Sequence, residues 1–276
     1  MGELKSKVIS PTAINMYTRC GEMYRRRYVE KDIIPPGIAL AKGSSVHSGA
    51  EYNFKQKIET KADLPKSQII DFSVAALETN IGKNGLLLSE EEEAAGKTKT
   101  IGKAKDSVTV LASLYSEKIA PVHQPVEVET KSSIDIAQSG ITLLGKIDLV
   151  NDKDTIVDLK TGSKTANQAD VDKSIQLTFY GLLYKAKHRK DPAGFSIEQM
   201  IDKKHPDTAT FHTQRFKEDY SALVNRINTV INGIDKGNFP PAPEGAWWCS
   251  PRFCGYWRTC PYINSNRIAV KEEIVL

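Results

Sequence analysis

The chain has 276 residues, of which 40% are hydrophobic and 26% are charged, and its net charge at pH 7 is +4. This is ordinary globular composition, and the chain is long enough to bury a sizeable core as one large domain or two small ones. It contains no apolar run long enough to span a membrane, and its first residues lack the apolar segment of a secretory signal, so we expect a cytoplasmic protein.

The first 120 residues are predicted to be mainly helical. Ser10 is a good N-cap and Pro11 suits a first helical turn, which predicts a helix over residues 10–31. Further helices are predicted at 44–58, 67–83 and 89–119. The first helix contains the run YRRRY at 24–28, whose arginines could guide a nucleic-acid strand by binding phosphates and stacking on bases. A solvated helix face explains the same run equally well.

The character of the sequence changes after residue 120. Three strand-like runs separated by turn residues predict a meander at 126–138, 140–152 and 155–162. A helix at 168–187, strands near 196–203 and 210–216, and a helix that ends before Gly237 are predicted to follow. This order predicts a mixed α/β (α+β) fold in a single domain over 1–276, with a helical part at 1–120, a core at 121–216 and a closing segment at 217–276.

The second and third strands of the meander carry an unusual set of charges. A tight turn between antiparallel strands can bring Asp148 and Asp158 side by side, and two such carboxylates repel each other unless a cation lies between them. Oxygen ligands of this kind suit Mg²⁺ or Mn²⁺. Lys160 lies two residues after Asp158 and therefore on the same face of the strand, where it could offset charge on a phosphate. A surface Asp–Lys pair is the simpler alternative.

Three other features accompany this set. Gly43-x-x-x-His47 is predicted at a helix start, where the histidine could complete a metal site and the glycine permits a close backbone approach. Gln176 and Tyr180 lie four residues apart on one helix face, where they could bind a DNA phosphate or Lys160. Glu129 lies on the preceding strand as a further ligand, a supporting acid, or an ordinary strand residue.

In this order, Gly43-x-x-x-His47, Gly145-x-x-Asp148, Asp158-Leu-Lys160 and Gln176-x-x-x-Tyr180 resemble the motifs of the PD-(D/E)XK nuclease superfamily, in its RecB-like exonuclease branch. The resemblance implies a restriction-endonuclease-like core, with a mixed central sheet flanked by helices. It also implies that Asp148, Asp158, the Leu159 carbonyl and His47 hold the metal. Lys160, Gln176 and Tyr180 would then serve catalysis. Asp158 stands where many members carry Glu.

The four cysteines are Cys20, Cys249, Cys254 and Cys260, and three of them lie close together near the end of the chain beside several aromatic residues. Four thiolates suit either zinc or an iron–sulfur cluster. One distant cysteine followed by three near the C-terminus resembles the layout in AddB-type nuclease domains and CRISPR adaptation exonucleases. That resemblance implies a 4Fe-4S cluster that closes the C-terminal segment on the N-terminal part, with zinc as the alternative.

The leading functional interpretation is a metal-dependent DNA exonuclease that acts on DNA ends in recombination, repair or phage DNA metabolism. The sequence lacks a G-x-x-x-x-G-K-S/T phosphate loop, so unwinding driven by ATP would need a helicase or recombination partner. Two alternatives remain, namely a structure- or sequence-specific endonuclease on the same core and a non-catalytic iron–sulfur DNA-binding or assembly module. No membrane partner is expected.

Overall fold

A six-stranded sheet of mixed direction forms the centre of the protein over residues 7–136 and 140–263, which are the residues that the computed structural model describes. Strands β1 and β3 run parallel, as do β4 and β5, whereas β2–β3, β3–β4 and β5–β6 are antiparallel. This confirms the predicted mixed sheet and its three-stranded meander. The strands are β1 (Lys7–Ile9), β2 (Pro125–Ile136), β3 (Ile141–Asn151), β4 (Thr155–Gly162), β5 (Gly194–Ile201) and β6 (Asp207–Thr213).

Helices cover both faces of this sheet. One apolar core packs α1, α8 and α9 against residues such as Ile147 and Ile156, and the other packs α3, α4 and α6 against residues such as Leu149 and Val157. None of the helices in the described ranges is long and apolar enough to cross a membrane. The helices are α1 (Pro11–Arg19), α2 (Gly21–Tyr24), α3 (Ile38–Thr60), α4 (Lys66–Asn84), α5 (Glu90–Ala95), α6 (Lys97–Leu114), α7 (Gln168–Asp172), α8 (Ile175–His188) and α9 (Lys217–Asp235).

The prediction of one helix over residues 10–31 is wrong. Ser10 does cap α1, since its side chain accepts a hydrogen bond from the amide of Ala13, but α1 ends at Arg19. Cys20 is fully extended and separates α1 from α2, and its sulfur accepts the amide of Met23 at 3.5 Å. The chain then continues through a π-helical turn at Arg25–Val29. The interruption gives the Cys20 side chain a direction that a continuous helix would not allow.

Other predicted boundaries also shift. Gly96, with a φ of +90°, divides the predicted helix 89–119, and the predicted helix 168–187 is divided before Ser174, which caps α8. Helix α3 begins at Ile38 rather than near residue 44, so that Gly43 and His47 lie inside the helix and not at its start. Strand β1 was not predicted, because a three-residue strand carries too little periodicity. Of the first predicted strand, residues 137–138 lie outside the described residues.

One edge of the long strand β3 is shared by two other strands, and the gap between them forms the site described below. Strand β2 pairs with β3 along its whole length, so β1 and β4 must share the opposite edge. Strand β1 pairs with residues 141–143, and β4 pairs only with Leu149 and Val150. Residues 144–148 therefore have no strand partner on that edge within the described ranges. Past Val150 and Leu149, β3 and β4 separate, and a cleft opens between them.

Candidate active site

Asp148 lies where β3 and β4 separate. The ladder pairs Leu149 with Val157, so the next pair in register would be Asp148 with Asp158. The ladder does not continue to this pair. Instead, the Asp148 side chain takes the place of a backbone acceptor, because its Oδ2 accepts a 3.0 Å hydrogen bond from the amide of Leu159. The N–H and C=O groups of one strand residue leave the strand at the same edge, so the Leu159 carbonyl also faces this cleft.

Asp158 and Lys160 share one face of β4, as the alternation of the strand predicts. The Asp158 side chain is buried, and its Oδ2 lies 2.7 Å from the Lys160 ammonium. Helix α8 supplies Gln176, whose side-chain oxygen accepts from Lys160 at 3.0 Å and whose nitrogen donates to Asp158 Oδ1 at 2.9 Å. The same nitrogen donates to the Tyr180 hydroxyl at 2.7 Å. Gln176 therefore fixes the acid, the base and the tyrosine relative to one another.

A second group of ligand atoms lies on the other side of Asp148. One ligand atom each from His47, Glu129 and Asp148 lies within 4.8 Å of the other two, and His47 Nδ1 is 3.5 Å from Asp148 Oδ2. His47 comes from α3 and Glu129 from β2. The register of β2 against β3 places Glu129 opposite Asp148, since Val128 pairs with Leu149 and Thr130 with Ile147.

Glu129 is held in an uncommon backbone conformation. Its φ is +51°, in the left-handed region that costs energy for a residue with a Cβ. Its carboxylate forms an ion pair with Lys146. The sequence indicates Glu129 as one possible further ligand. Its place beside His47 and Asp148 follows only from the register of β2 on β3.

Burial sets the charges of the site. It raises the pKa of Asp158 to about 6, with Lys160 acting in the opposite direction and Asp148 adding to the rise. Burial also raises the pKa values of Asp148 and Glu129 and that of the Tyr180 phenol. The pKa of His47 is lowered, first by burial and then by Lys160, which favours the neutral imidazole that binds metals. The cleft thus concentrates carboxylates in a place where their negative charge is poorly solvated.

Two glycines of the sequence motifs allow the helices to approach the sheet. A Cβ on Gly43 would lie 2.9 Å from Thr161 Oγ1, so that this turn of α3 fits closely against the end of β4. A Cβ on Gly145 would lie 2.6 Å from Leu183 Cδ1 of α8. The glycines bring the helices that carry His47 and Gln176 close to the acids of β3 and β4.

The structure brings the residues predicted from the nuclease motifs to one cleft, whereas the four cysteines form a separate group. His47 and Asp148 lie together with Glu129, whereas Asp158 is engaged by Lys160 and Gln176 and is not part of the group within 4.8 Å. Lys146 and Glu51 were not singled out from the sequence. Lys146 pairs with Glu129, and the negative charge of Glu51, one turn after His47 on α3, contributes to raising the pKa of Glu129.

The four cysteines lie near one another although Cys20 is far from the rest in sequence. The pKa of the Cys254 thiol is raised, first by burial, and its sulfur is also influenced by Cys20, Cys249 and Cys260. None of these cysteines forms a disulfide. The segment that carries three of them reaches the N-terminal part through the amide of Gly21, which donates to the carbonyl of Pro240 at 2.7 Å.

The arginine run at 24–28 is largely engaged within the protein. Arg25 forms ion pairs with Glu22 and Glu30, and Arg26 lies 3.5 Å from Asp32 and donates to Thr259. Tyr24 is buried and stacks on Tyr28. Neither earlier interpretation describes this run fully, because two of its three arginines hold the N-terminal part together.

Comparison with known proteins is consistent with this geometry. A family model described as the PD-(D/E)XK nuclease superfamily matches residues 8–261. A protein from Eubacterium rectale, provisionally described as an exonuclease, has a crystal structure that aligns with a TM-score of 0.57 at 13% identity, covering 99% of this chain and 92% of that one. At this identity the likeness concerns the fold alone. The crystal structure of SSO0001 aligns at 13% identity with a TM-score of 0.43, covering 92% and 86%. None of the curated proteins matches the sequence.

Proposed function

Because the chain belongs to the PD-(D/E)XK nuclease superfamily, we propose that it is a Mg²⁺- or Mn²⁺-dependent DNA exonuclease of the RecB-like branch, which hydrolyses phosphodiester bonds at DNA ends. The observation that carries the proposal is the cleft between β3 and β4, where His47, Asp148, Asp158 and Lys160 meet. Recombination, repair or phage DNA metabolism in the cytoplasm is the proposed context. The enzyme is proposed to act without ATP by itself.

The residues of the cleft fit a divalent cation. Two buried carboxylate oxygens, Glu129 Oε2 and Asp158 Oδ2, have a lysine ammonium as their charged neighbour and no further hydrogen-bond partner among the described residues. His47, Asp148, Asp158 and the Leu159 carbonyl would hold the ion, with Glu129 as a further ligand. Such an ion supplies a polarised phosphate and an activated water for hydrolysis.

The protein's own residues prepare the reacting groups. Lys160 is fixed between Asp158 and Gln176, so its charge is available to offset negative charge that develops on the phosphate. Gln176 accepts a hydrogen bond from the lysine and so restricts its orientation, and Gln176 in turn donates to the Tyr180 hydroxyl. His47 approaches Asp148 from the α3 side, with its Nδ1 3.5 Å from Asp148 Oδ2. Positioning of this kind supports catalysis because it limits the reorganisation of Lys160 during the reaction.

An assay with end-labelled linear DNA tests this proposal. The protein is incubated with Mg²⁺, Mn²⁺ or EDTA, beside an Asp158→Ala variant. Metal-dependent loss of label that the variant lacks supports the nuclease and shows at which end it starts. Covalently closed and circular single-stranded DNA are the matched substrates, since only an endonuclease can cut them. A folded protein that cuts none of these substrates would be a binding or assembly module.

We also propose that the four cysteines hold a 4Fe-4S cluster, with zinc as the alternative. The four sulfurs are close enough to influence one another, since Cys20, Cys249 and Cys260 each contribute to raising the pKa of the Cys254 thiol. Zinc–sulfur bonds of about 2.3 Å would place the four sulfurs of a tetrahedral site about 3.8 Å apart. A cubane cluster binds each thiolate to a separate iron atom, and so suits ligands that stand further apart.

A buried donor beside the cysteines also supports the cluster. The indole nitrogen of Trp248, next to Cys249, is buried and has no hydrogen-bond partner within residues 7–136 and 140–263. Indole N–H groups are rarely left unpaired inside proteins, and cluster sulfur is a suitable acceptor. Anaerobic purification followed by iron, sulfide and zinc analysis tests the assignment. A colourless protein containing one zinc ion would reject the 4Fe-4S assignment and would leave the nuclease proposal unaffected.

A further inference from the structure

The segment that carries three of the cysteines exposes aromatic side chains in an arrangement that the nuclease site does not use. Trp247 is 64% exposed and Phe253 is 53% exposed, and their rings meet edge to face with centroids 4.9 Å apart. Large exposed aromatic groups are costly in water, and a cluster of them marks an interaction surface.

Two arginines accompany these rings. The Arg19 guanidinium lies 5.5 Å from the centre of the Trp247 ring and 4.9 Å from that of Trp248, and Arg252 lies 5.6 Å from that of Phe253. We name the set of Arg19, Trp247, Arg252 and Phe253 the tail platform. The platform joins the end of α1 to the C-terminal segment, and both of its arginines are exposed.

Among the residues that the structure describes, the charge of the tail platform has no acidic partner. Elsewhere in this region Arg25, Arg26 and Arg258 pair with carboxylates, whereas Arg19 and Arg252 form an ion pair with none of the described residues. Residues 241–263 contain one acid, Glu244, against two arginines. A partner for this surface must therefore tolerate or need positive charge and must offer flat apolar faces.

We propose that the tail platform binds unpaired bases of single-stranded DNA, an inference that rests on the proposed DNA substrate. Exposed aromatic rings stack on bases of any sequence, and arginines add cation–π contacts and bind the phosphates between them. Paired bases in a duplex do not offer their faces in this way. The surface thus selects a strand that is already unpaired.

The platform is attached to the helix that carries His47. A Cβ on Gly255 would lie 2.0 Å from Ile34 Cδ1 and 3.1 Å from Leu87, and Leu87 forms a bridge with Gly37 directly before α3. His47 follows nine residues after the first residue of α3, about 14 Å along the helix axis at 1.5 Å per residue. The residues just after Phe253 therefore pack against the segment that leads into α3, the helix that carries His47.

Fluorescence anisotropy with a labelled oligothymidine of about 20 nucleotides in EDTA tests this inference without cutting. Trp247→Ala and Phe253→Ala should each weaken binding about fivefold or more, since stacking of each base contributes substantially. Arg252→Glu should weaken binding and reduce its salt dependence. Phe216→Ala is the matched control, because Phe216 is 67% exposed, lies between Arg215 and Lys217, and is outside the platform.

A blunt duplex hairpin and a cleavage assay complete the design. Hairpin affinity should change less than oligothymidine affinity in the platform variants. If Trp247→Ala lowers iron content or yield, Phe253→Ala and Arg252→Glu decide the question. Unchanged oligothymidine affinity in both of these variants would overturn the platform, and the surface would then be left for a protein partner. If the wild-type protein cuts DNA in that case, the nuclease proposal stands. If the wild-type protein binds the strand through the platform but cuts no DNA, the nuclease proposal is rejected and the platform proposal stands.

Discussion

The backbone amide of Leu159 donates a 3.0 Å hydrogen bond to Oδ2 of Asp148, at the position where the β3–β4 ladder would otherwise continue. A side chain thus replaces a backbone acceptor, and the two strands can part without leaving this amide unpaired. The same exchange turns the Leu159 carbonyl towards the acids. The site therefore forms from a break in the sheet.

Lys160→Ala should abolish cutting but leave metal binding intact. Its ammonium contacts Asp158 and Gln176, and loss of an electrostatic group of this kind lowers turnover by about 10²- to 10³-fold. Titration with Mn²⁺ and a cleavage assay measure the two effects separately. Lys153→Ala, which changes an exposed lysine on the β3–β4 turn, is the control and should cut normally. Turnover that survives in Lys160→Ala would contradict the assigned role.

Glu129→Gln should weaken Mn²⁺ binding by about tenfold or more, because it removes a carboxylate charge beside His47 and Asp148 without changing size. Isothermal titration gives the affinity. Glu127→Gln on the same strand is the control, since Glu127 pairs with Lys187 and His188 instead. Equal affinities in both variants would mean that Glu129 serves only to pair with Lys146.

The metal-free protein should become less stable as pH rises through the range in which Asp158 ionises. The pKa of the Asp158 carboxyl rises from 3.8 to about 6 on folding. At pH values between these two, the folded state therefore binds more protons than the unfolded state. Stability contributed by the neutral form is therefore present at low pH and lost towards pH 6. Asp148, whose pKa is also raised, acts in the same direction.

Asp158→Asn removes this titration. In EDTA, its free energy of unfolding should exceed that of the wild type by a difference that opens between pH 4 and 6 and reaches at most about 3 kcal/mol. Denaturant unfolding at several pH values measures this difference. A difference that shrinks with rising pH would show that Lys160 outweighs burial.

Gly43→Ala should reduce activity by at least about tenfold, because its Cβ would lie 2.9 Å from Thr161 Oγ1 and would push α3 and His47 away from β4. Gly82→Ala is the matched control, a helical glycine with nothing within 4 Å of the new Cβ. It should leave activity unchanged and stabilise the protein by up to about 1 kcal/mol, through its helix propensity. Thermal unfolding with cleavage rates distinguishes the two sites.

Cys249→Ser should lower soluble yield and visible absorption together, since loss of a ligand to the proposed cluster would loosen the contact between the C-terminal segment and α1. Trp248→Phe keeps the ring and removes only the buried N–H. It should retain iron but shift the reduction potential of the cluster, which protein-film voltammetry measures. An unchanged potential would show that the indole nitrogen donates to something other than the cluster.

Local sequence patterns predicted much of the fold. The period-two runs at 126–138, 140–152 and 155–162 predicted β2, β3 and β4, and the spacing of Leu223, Ile227 and Ile231 predicted α9. The same patterns placed Asp158 and Lys160 on one face. The division of the first helix at Cys20 could not be predicted in this way, because helix propensity and capping describe neighbours only, whereas the next residue, Gly21, donates its amide to the distant carbonyl of Pro240.

The sequence by itself determined which chemical groups are present, their order, and which of them share a face of a strand or helix. Those features follow from the fixed periods of the two backbone conformations. Only the tertiary structure decided that Glu129 lies opposite Asp148, that Gln176 joins Asp158 to Lys160, and that Cys20 lies near the other cysteines. Such pairings depend on strand register and helix packing, which are set by the free energy of the whole core and not by any local stretch of the chain.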